Sequence, residues 1–147
     1  MLQIQVKKFN ELTIDQLYEL LQLRSQVFVV EQDCVYQDID SKDQKSLHIL
    51  GLKNNKIIAY TRIFKPGDYF NEASIGRVVV AENERKFKYG HQIMKASINA
   101  IAAHFNTATI IISAQTFLKK FYNNLGFNQI GDGYLEDGIP HIKMQKK

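Results

Sequence analysis

At 147 residues the chain can fold as one domain around one hydrophobic core. Its hydrophobic share of 45% and charged share of 23% are ordinary for a globular protein, and no apolar run is long enough to span a bilayer. The single cysteine, Cys34, excludes an internal disulfide framework and favours a reducing compartment, the cytoplasm, while the net charge of +4 leaves room for an anionic partner.

The first residues, QIQVKKF, alternate at Ile4 and Val6 and read as a strand, not as a secretory leader. Thr13 with Gln16 three residues on forms a capping box, and Leu17, Leu20, Leu21, Arg24 and Phe28 share one stripe, so a helix is expected from Ile14 to about Phe28. Residues 31–46 show little periodicity and read as a long loop or a short irregular helix; Glu31, Asp33, Asp38, Asp40 and Asp43 crowd it. HILGL, KNNK and IIAYTRIF read as a hairpin, and Ser74–Ala81 (SIGRVVVA) as a further strand.

A basic loop follows, ERKFKYGHQIM, with Arg85, Lys86 and Lys88 ahead of Gly90. A helix is expected from about Gly90 to Phe105, facing inward with Ile93, Met94, Ser97, Ile98, Ile101 and Phe105. Thr109–Ala114 reads as a strand buried on both faces, TFLKKFYNNL as a short helix with Gly126 as its C′ residue, and Phe127–Ile130 and His141–Met144 as closing strands. The unit 74–114 is a strand–helix–strand crossover, so its strands should be parallel within an otherwise mostly antiparallel, mixed sheet covered by helices on both faces. With no linker or repeat, residues 1–147 read as a single α/β domain.

The usual phosphate loops, paired-cysteine or His-Glu-x-x-His metal spacings and the Gly-x-Ser-x-Gly elbow are all absent. What remains is the basic loop. A loop between a strand's C-terminal end and a helix's N-terminus aims backbone N–H groups and the positive end of the helix dipole at one point, which suits a diphosphate. A glycine there lets the ligand approach the backbone. A solvated turn is the plainer reading of the same residues.

Together, RVVVAENERKFKYGHQIM (Arg77–Met94) and QTFLKKFYNNLGF (Gln115–Phe127) resemble the GNAT superfamily of N-acetyltransferases. RSQVFVVEQDCVYQDID (Arg24–Asp40), GRVVV (Gly76–Val80) and YLEDGIPHIKM (Tyr134–Met144) resemble its ElaA-like branch. The resemblance implies a GNAT fold and acetyl-coenzyme A as cosubstrate, without a metal. It implies that the loop of Arg85, Lys86, Phe87, Lys88, Tyr89, Gly90 and His91 holds the pyrophosphate; Lys88 stands where the family's first loop glycine usually does. The pantetheine would run beside the Arg77–Val80 strand, at Val78, Val79 and Val80, whose backbone meets the thioester, and Gln115 would contact the pantetheine arm or, alternatively, cap a helix. Tyr122 would protonate the leaving thiolate; its helical spacing from Leu118 and Leu125 also suits a core tyrosine.

The implied reaction is acyl transfer to an amine. A lysine-like amine has a pKa of about 10.4, so forming its free base at neutral pH costs roughly 4–5 kcal/mol, and a general base is needed. Glu31 and His141 are the two candidates. Asp38, Asp40, Glu136, Asp137 and Glu31 are candidates to anchor the cationic acceptor. Two alternatives stay open. The Arg24, Val27-Phe28 and Glu31 arrangement also resembles acyl-homoserine-lactone synthases, and a non-catalytic coenzyme A or nucleic-acid binder is conceivable. Against nucleic acid, the basic residues do not interleave with aromatics as a stacking platform requires.

Overall fold

A computed structural model describes all 147 residues. Seven strands form one sheet in the order β1-β2-β3-β4-β5-β7-β6. They are β1 (Gln3–Lys8), β2 (Leu47–Lys53), β3 (Lys56–Phe64), β4 (Ala73–Val80), β5 (Ile110–Gln115), β6 (Asn128–Glu136) and β7 (Ile139–Lys146). Every neighbouring pair is antiparallel except β4 and β5, which are parallel as the crossover requires. The helices are α1 (Ile14–Arg24), α2 (Tyr89–Phe105) and α3 (Lys119–Asn123). None is long and apolar enough to cross a membrane.

Strand alternation divides the core. Ile49 and Leu50 are consecutive on β2 and point to opposite faces. Ile49 joins the larger core beneath α2 and α3, with Ile93, Met94, Ile101, Tyr122 and Phe127, whereas Leu50 packs under α1 with Leu20, Val27 and Tyr60. Both faces are thus helix-covered. The capping box opens α1 as expected, with Thr13 and Gln16 exchanging 3.0 Å hydrogen bonds. Gly126 ends the α3 region at φ +95°, where the Phe127 N–H donates to the Tyr122 carbonyl at 3.0 Å.

Three expectations change. The first helix leaves α geometry at Arg24 and continues as a π-helical segment, Ser25–Glu31. The first closing strand is longer than four residues: β6 runs on to Glu136, with a register irregularity between Ile130 and Tyr134 and Gly131 at φ +75°. Asp38 and Asp40, expected to anchor a cationic acceptor, are paired inside the fold together with Asp43, while Glu31 and Asp33 stay exposed. Arg24 pairs with Asp38 at 2.9 Å and Asp43 at 2.8 Å, Arg62 with Asp40 at 2.6 Å and Asp43 at 2.9 Å, and Arg77 with Asp38 at 2.8 Å. Arg24 and Arg62 are fully buried. Burial alone would raise the carboxyl pKa values of Asp40 and Asp43, but hydrogen bonds and charge from the arginines outweigh it and hold both below the usual carboxylate range.

Strand β4 makes the opening that matters for function. It pairs with β5 only at Ala73 and Ser74. Opposite β3, an extra residue intrudes: Arg62 faces Gly76 but Tyr60 faces Val79. The bulge centres on Arg77, at φ +49° in left-handed backbone. From Ile75 onward β4 diverges from β5, and the main chain on that side has no strand partner.

Candidate functional site

The divergence leaves a cleft of about 110 Å³ between β4 and β5. Period-two alternation places Ser113 and Gln115 on one face of β5, and strand register sets His141 of β7 opposite Gln115 and Tyr134 of β6 opposite His141. Ser113, Gln115 and His141 form the floor, and Tyr134 is hydrogen-bonded to Ser113. Val78 and Arg77 line the β4 wall, and Tyr122 enters from α3.

Tyr122 is both things its spacing allowed. Its ring is buried, edge-on to Phe121 at 5.0 Å and to Phe127 at 6.1 Å, yet it lines the cleft. Burial pushes its phenol well above the usual tyrosine pKa, so it is a neutral donor at pH 7. His141 is held by its backbone. Its Nδ1 lies 2.7 Å from the Ile139 carbonyl, which can only accept, so in the neutral ring Nδ1 carries the proton and Nε2 the lone pair. Glu136 Oε2 stands 3.6 Å from that Nε2, while Glu136 Oε1 accepts from Ser113 Oγ at 3.1 Å, and Ser113 is hydrogen-bonded to Tyr134. Asp137, beside Glu136 at the hairpin turn, also lines the cleft.

The basic loop sits where β4 ends. The segment from Glu82 to Phe87 is a 3-10 turn, and Lys88 follows at φ +60°, in the left-handed conformation a glycine adopts at least cost. Lys88 supplies no side-chain cap to α2, so the first N–H groups of that helix point outward unpaired by a cap. A Cβ on Gly90 would lie 3.3 Å from the Phe121 ring, and His91 meets the same ring edge-on at 5.5 Å. The helix start is thereby packed onto α3, next to Tyr122. Lys86 lies over the Phe87 ring at 5.3 Å. Tyr89 and Val79 are core side chains and can offer a ligand only their main chain; the Val80 carbonyl accepts from Arg85 Nε at 3.1 Å.

Several site expectations are corrected by this geometry. Asp38 and Asp40 are committed to Arg24, Arg62 and Arg77 inside the fold and are not available to an amine. Glu31 lies outside the cleft, with both carboxylate oxygens on Arg85 at 2.6 and 2.9 Å, so it is poorly placed to take a proton from an amine there. Gln115 makes no capping bond; its amide pairs with that of Gln32. Pattern in the sequence singles out neither Ser113 nor Tyr36, both of which line the cleft. Ser113 shares a β5 face with Gln115, and the loop that follows the π-helical segment carries Tyr36 in, along a path with no mark in the sequence.

Comparison with known proteins supports the same assignment. The family model for the acetyltransferase (GNAT) domain matches residues 10–147. Protein ElaA of Escherichia coli is 45% identical over 140 residues, covering 94% of this chain and 92% of its own. Its crystal structure superposes with a TM-score of 0.92 at full coverage of both chains. An acyl-CoA N-acyltransferase from Pseudomonas aeruginosa superposes at 0.94 with 36% identity, again over the whole of both chains. The CoA-dependent acyl-homoserine lactone synthase BjaI matches at 0.79 with 17% identity over 99% of this chain and 82% of its own, a likeness of fold. The protein belongs to the GNAT acetyltransferase family, in its ElaA-like branch, and is an acyltransferase.

Proposed function

We propose that residues 1–147 form one N-acetyltransferase domain that moves an acetyl group from acetyl-coenzyme A to a primary amine by direct attack on the thioester. The observation that carries this reading is the cleft where β4 parts from β5, with unpaired β4 main chain on one wall and Tyr122 and His141 on the others. The donor's diphosphate lies on the start of α2, at Arg85–His91, where uncapped N–H groups, the helix dipole and three cationic side chains converge. Its pantetheine arm follows Val78–Val80 as an added strand and meets Gln115. A β4 N–H takes the thioester carbonyl and then the oxyanion of the tetrahedral intermediate.

The acceptor enters from the β6–β7 end, where Glu136 and Asp137 favour a cation. His141 Nε2 accepts the amine proton, and the free amine attacks the carbonyl carbon. As the C–S bond breaks, Tyr122 donates its proton to the leaving sulfur and the second proton of the attacking nitrogen restores the phenol, giving coenzyme A thiol and the N-acetylated acceptor. The single unpaired cysteine suits a reducing compartment, the cytoplasm. The lactone-forming alternative rests on a likeness that extends only to fold.

Calorimetric titration of acetyl-coenzyme A tests the reading, on the wild type and on Gly90→Asp. The aspartate adds bulk against Phe121 and negative charge at the diphosphate, and should weaken binding at least 100-fold. Equal binding by both proteins would remove the donor from this loop. An amine screen with product mass measurement then identifies the acceptor, and a lactone product would replace the amine reading.

A further inference from the structure

Residues 25–36 cross the site, and they hold side chains that the donor needs. Ser25–Glu31 is π-helical, and its widened winding runs on into the Gln32 and Cys34 N–H groups, which donate to Val27 and Val29 carbonyls at 3.2 and 3.1 Å. Such winding is rare and concentrates at functional segments. Three contacts then fasten the segment. Glu31 grips Arg85 through both oxygens at 2.6 and 2.9 Å. Gln32 and Gln115 exchange amide hydrogen bonds at 3.3 and 3.4 Å. The Cys34 thiol donates to the Asp137 carbonyl at 3.4 Å.

We propose that this segment is a strap that competes with the donor: Glu31 stands in for a phosphate on Arg85, Gln32 stands in for a pantetheine amide on Gln115, and donor binding displaces both. The inference rests on the donor placement given above. On Arg85 the Nε–H is given to the Val80 carbonyl and Glu31 takes the forked Nη1–Nη2 face, which fits carboxylate and phosphate alike. With Glu31 on that face, a phosphate oxygen reaches Arg85 only by exchange. The second contact obeys the same logic, because a pantetheine amide presents the C=O and N–H that Gln32 presents now.

The exchange couples the two ends of the cleft. Gln32, Cys34 and Tyr36 line it beside Glu136 and Asp137. Once Glu31 and Gln32 are displaced, the thiol contact is the remaining tie of the three, and a thiol is a weak donor. The acceptor end therefore loosens after the donor has entered, which orders the two ligands. A ligand shifts such an equilibrium only by its differential affinity, so the strap trims donor affinity modestly and does not block it.

Calorimetry with two probes tests this on Glu31→Gln, Gln32→Ala and, as a control for simple removal of charge, Glu82→Gln. Acetyl-coenzyme A should bind Glu31→Gln about five-fold more tightly than wild type, the scale of a partly exposed ion pair. Glu82→Gln should gain less. S-acetylpantetheine, which lacks the diphosphate, should bind Glu31→Gln as it binds wild type, and Gln32→Ala more tightly. Without ligand, Glu31→Gln should also let a maleimide reach Cys34 faster. If Glu31→Gln binds acetyl-coenzyme A no better than Glu82→Gln does, or less well than wild type, the strap does not compete. Failure of wild type itself to bind acetyl-coenzyme A would instead sink the donor placement, and the strap with it.

Discussion

The acidic segment and the basic loop are the two charge concentrations of this chain, and they end in opposite circumstances. Asp38, Asp40 and Asp43 lie against three arginines contributed by α1, β3 and β4. Arg85, Lys86 and Lys88 stay exposed at the mouth of a helix. Charge density along a sequence does not separate these outcomes. The difference is made by distant partners: Arg24, Arg62 and Arg77 neutralise the aspartates, and the fold supplies the loop with helix N–H groups, which add positive potential.

The largest effect should come from breaking the neutral cluster. Asp43→Ala leaves Arg24 and Arg62 short of their shared carboxylate and should cost about 3–5 kcal/mol in urea denaturation, whereas Lys86→Ala on the open loop should stay within about 0.5 kcal/mol. Equal costs would erase the contrast. Next in size is chemistry. Tyr122→Phe should lower kcat about 100-fold or more while acetyl-coenzyme A affinity is unchanged, because a proton donor to the leaving sulfur is lost and packing is kept.

Acid should then separate the regions by slope. Asp40 and Asp43 have folded-state pKa values below their unfolded ones, so their stabilisation is fully present above the ordinary carboxylate pKa, about 4, and is lost as pH falls below it. The thermal midpoint should drop more steeply between pH 5 and 2, on the order of the unfolded carboxylate range, in wild type than in Asp43→Ala. The smallest effect concerns the loop backbone. Lys88→Gly relieves left-handed strain but frees the unfolded chain, for a net gain of about 0.5 kcal/mol, or roughly 1–2 °C in thermal midpoint. The same change should weaken acetyl-coenzyme A binding by loss of a cation.

Much of the scaffold was legible because its signals are local. Alternation marks β1, Thr13 and Gln16 start α1, and Gly126 stops α3 at a positive φ. The parallel pair followed from the strand–helix–strand order. Tyr122 and Gln115 are legible as candidates through family resemblance and His141 through its place in a closing strand, and the structure brings the three to one cleft. The rest depended on pairings that short-range pattern does not carry. Nothing near Asp38 announces Arg77, which lies on another strand. Glu31 looked like a base since no local feature ties it to Arg85. Ser113 meets Tyr134 and Glu136 only because β6 slips register after Ile130.

Arg77 carries a consequence for how this protein tolerates change. It sits in left-handed backbone at the β4 bulge, where glycine would be less strained, and its guanidinium also pairs with Asp38 and reaches Asp40. A replacement has to satisfy two unrelated demands at once, since glycine meets the backbone but abandons the aspartates and lysine meets neither geometry in full. In a saturation library selected for folding, position 77 should therefore be among the least permissive of the partly buried sites. Its constraint would look like that of a buried residue.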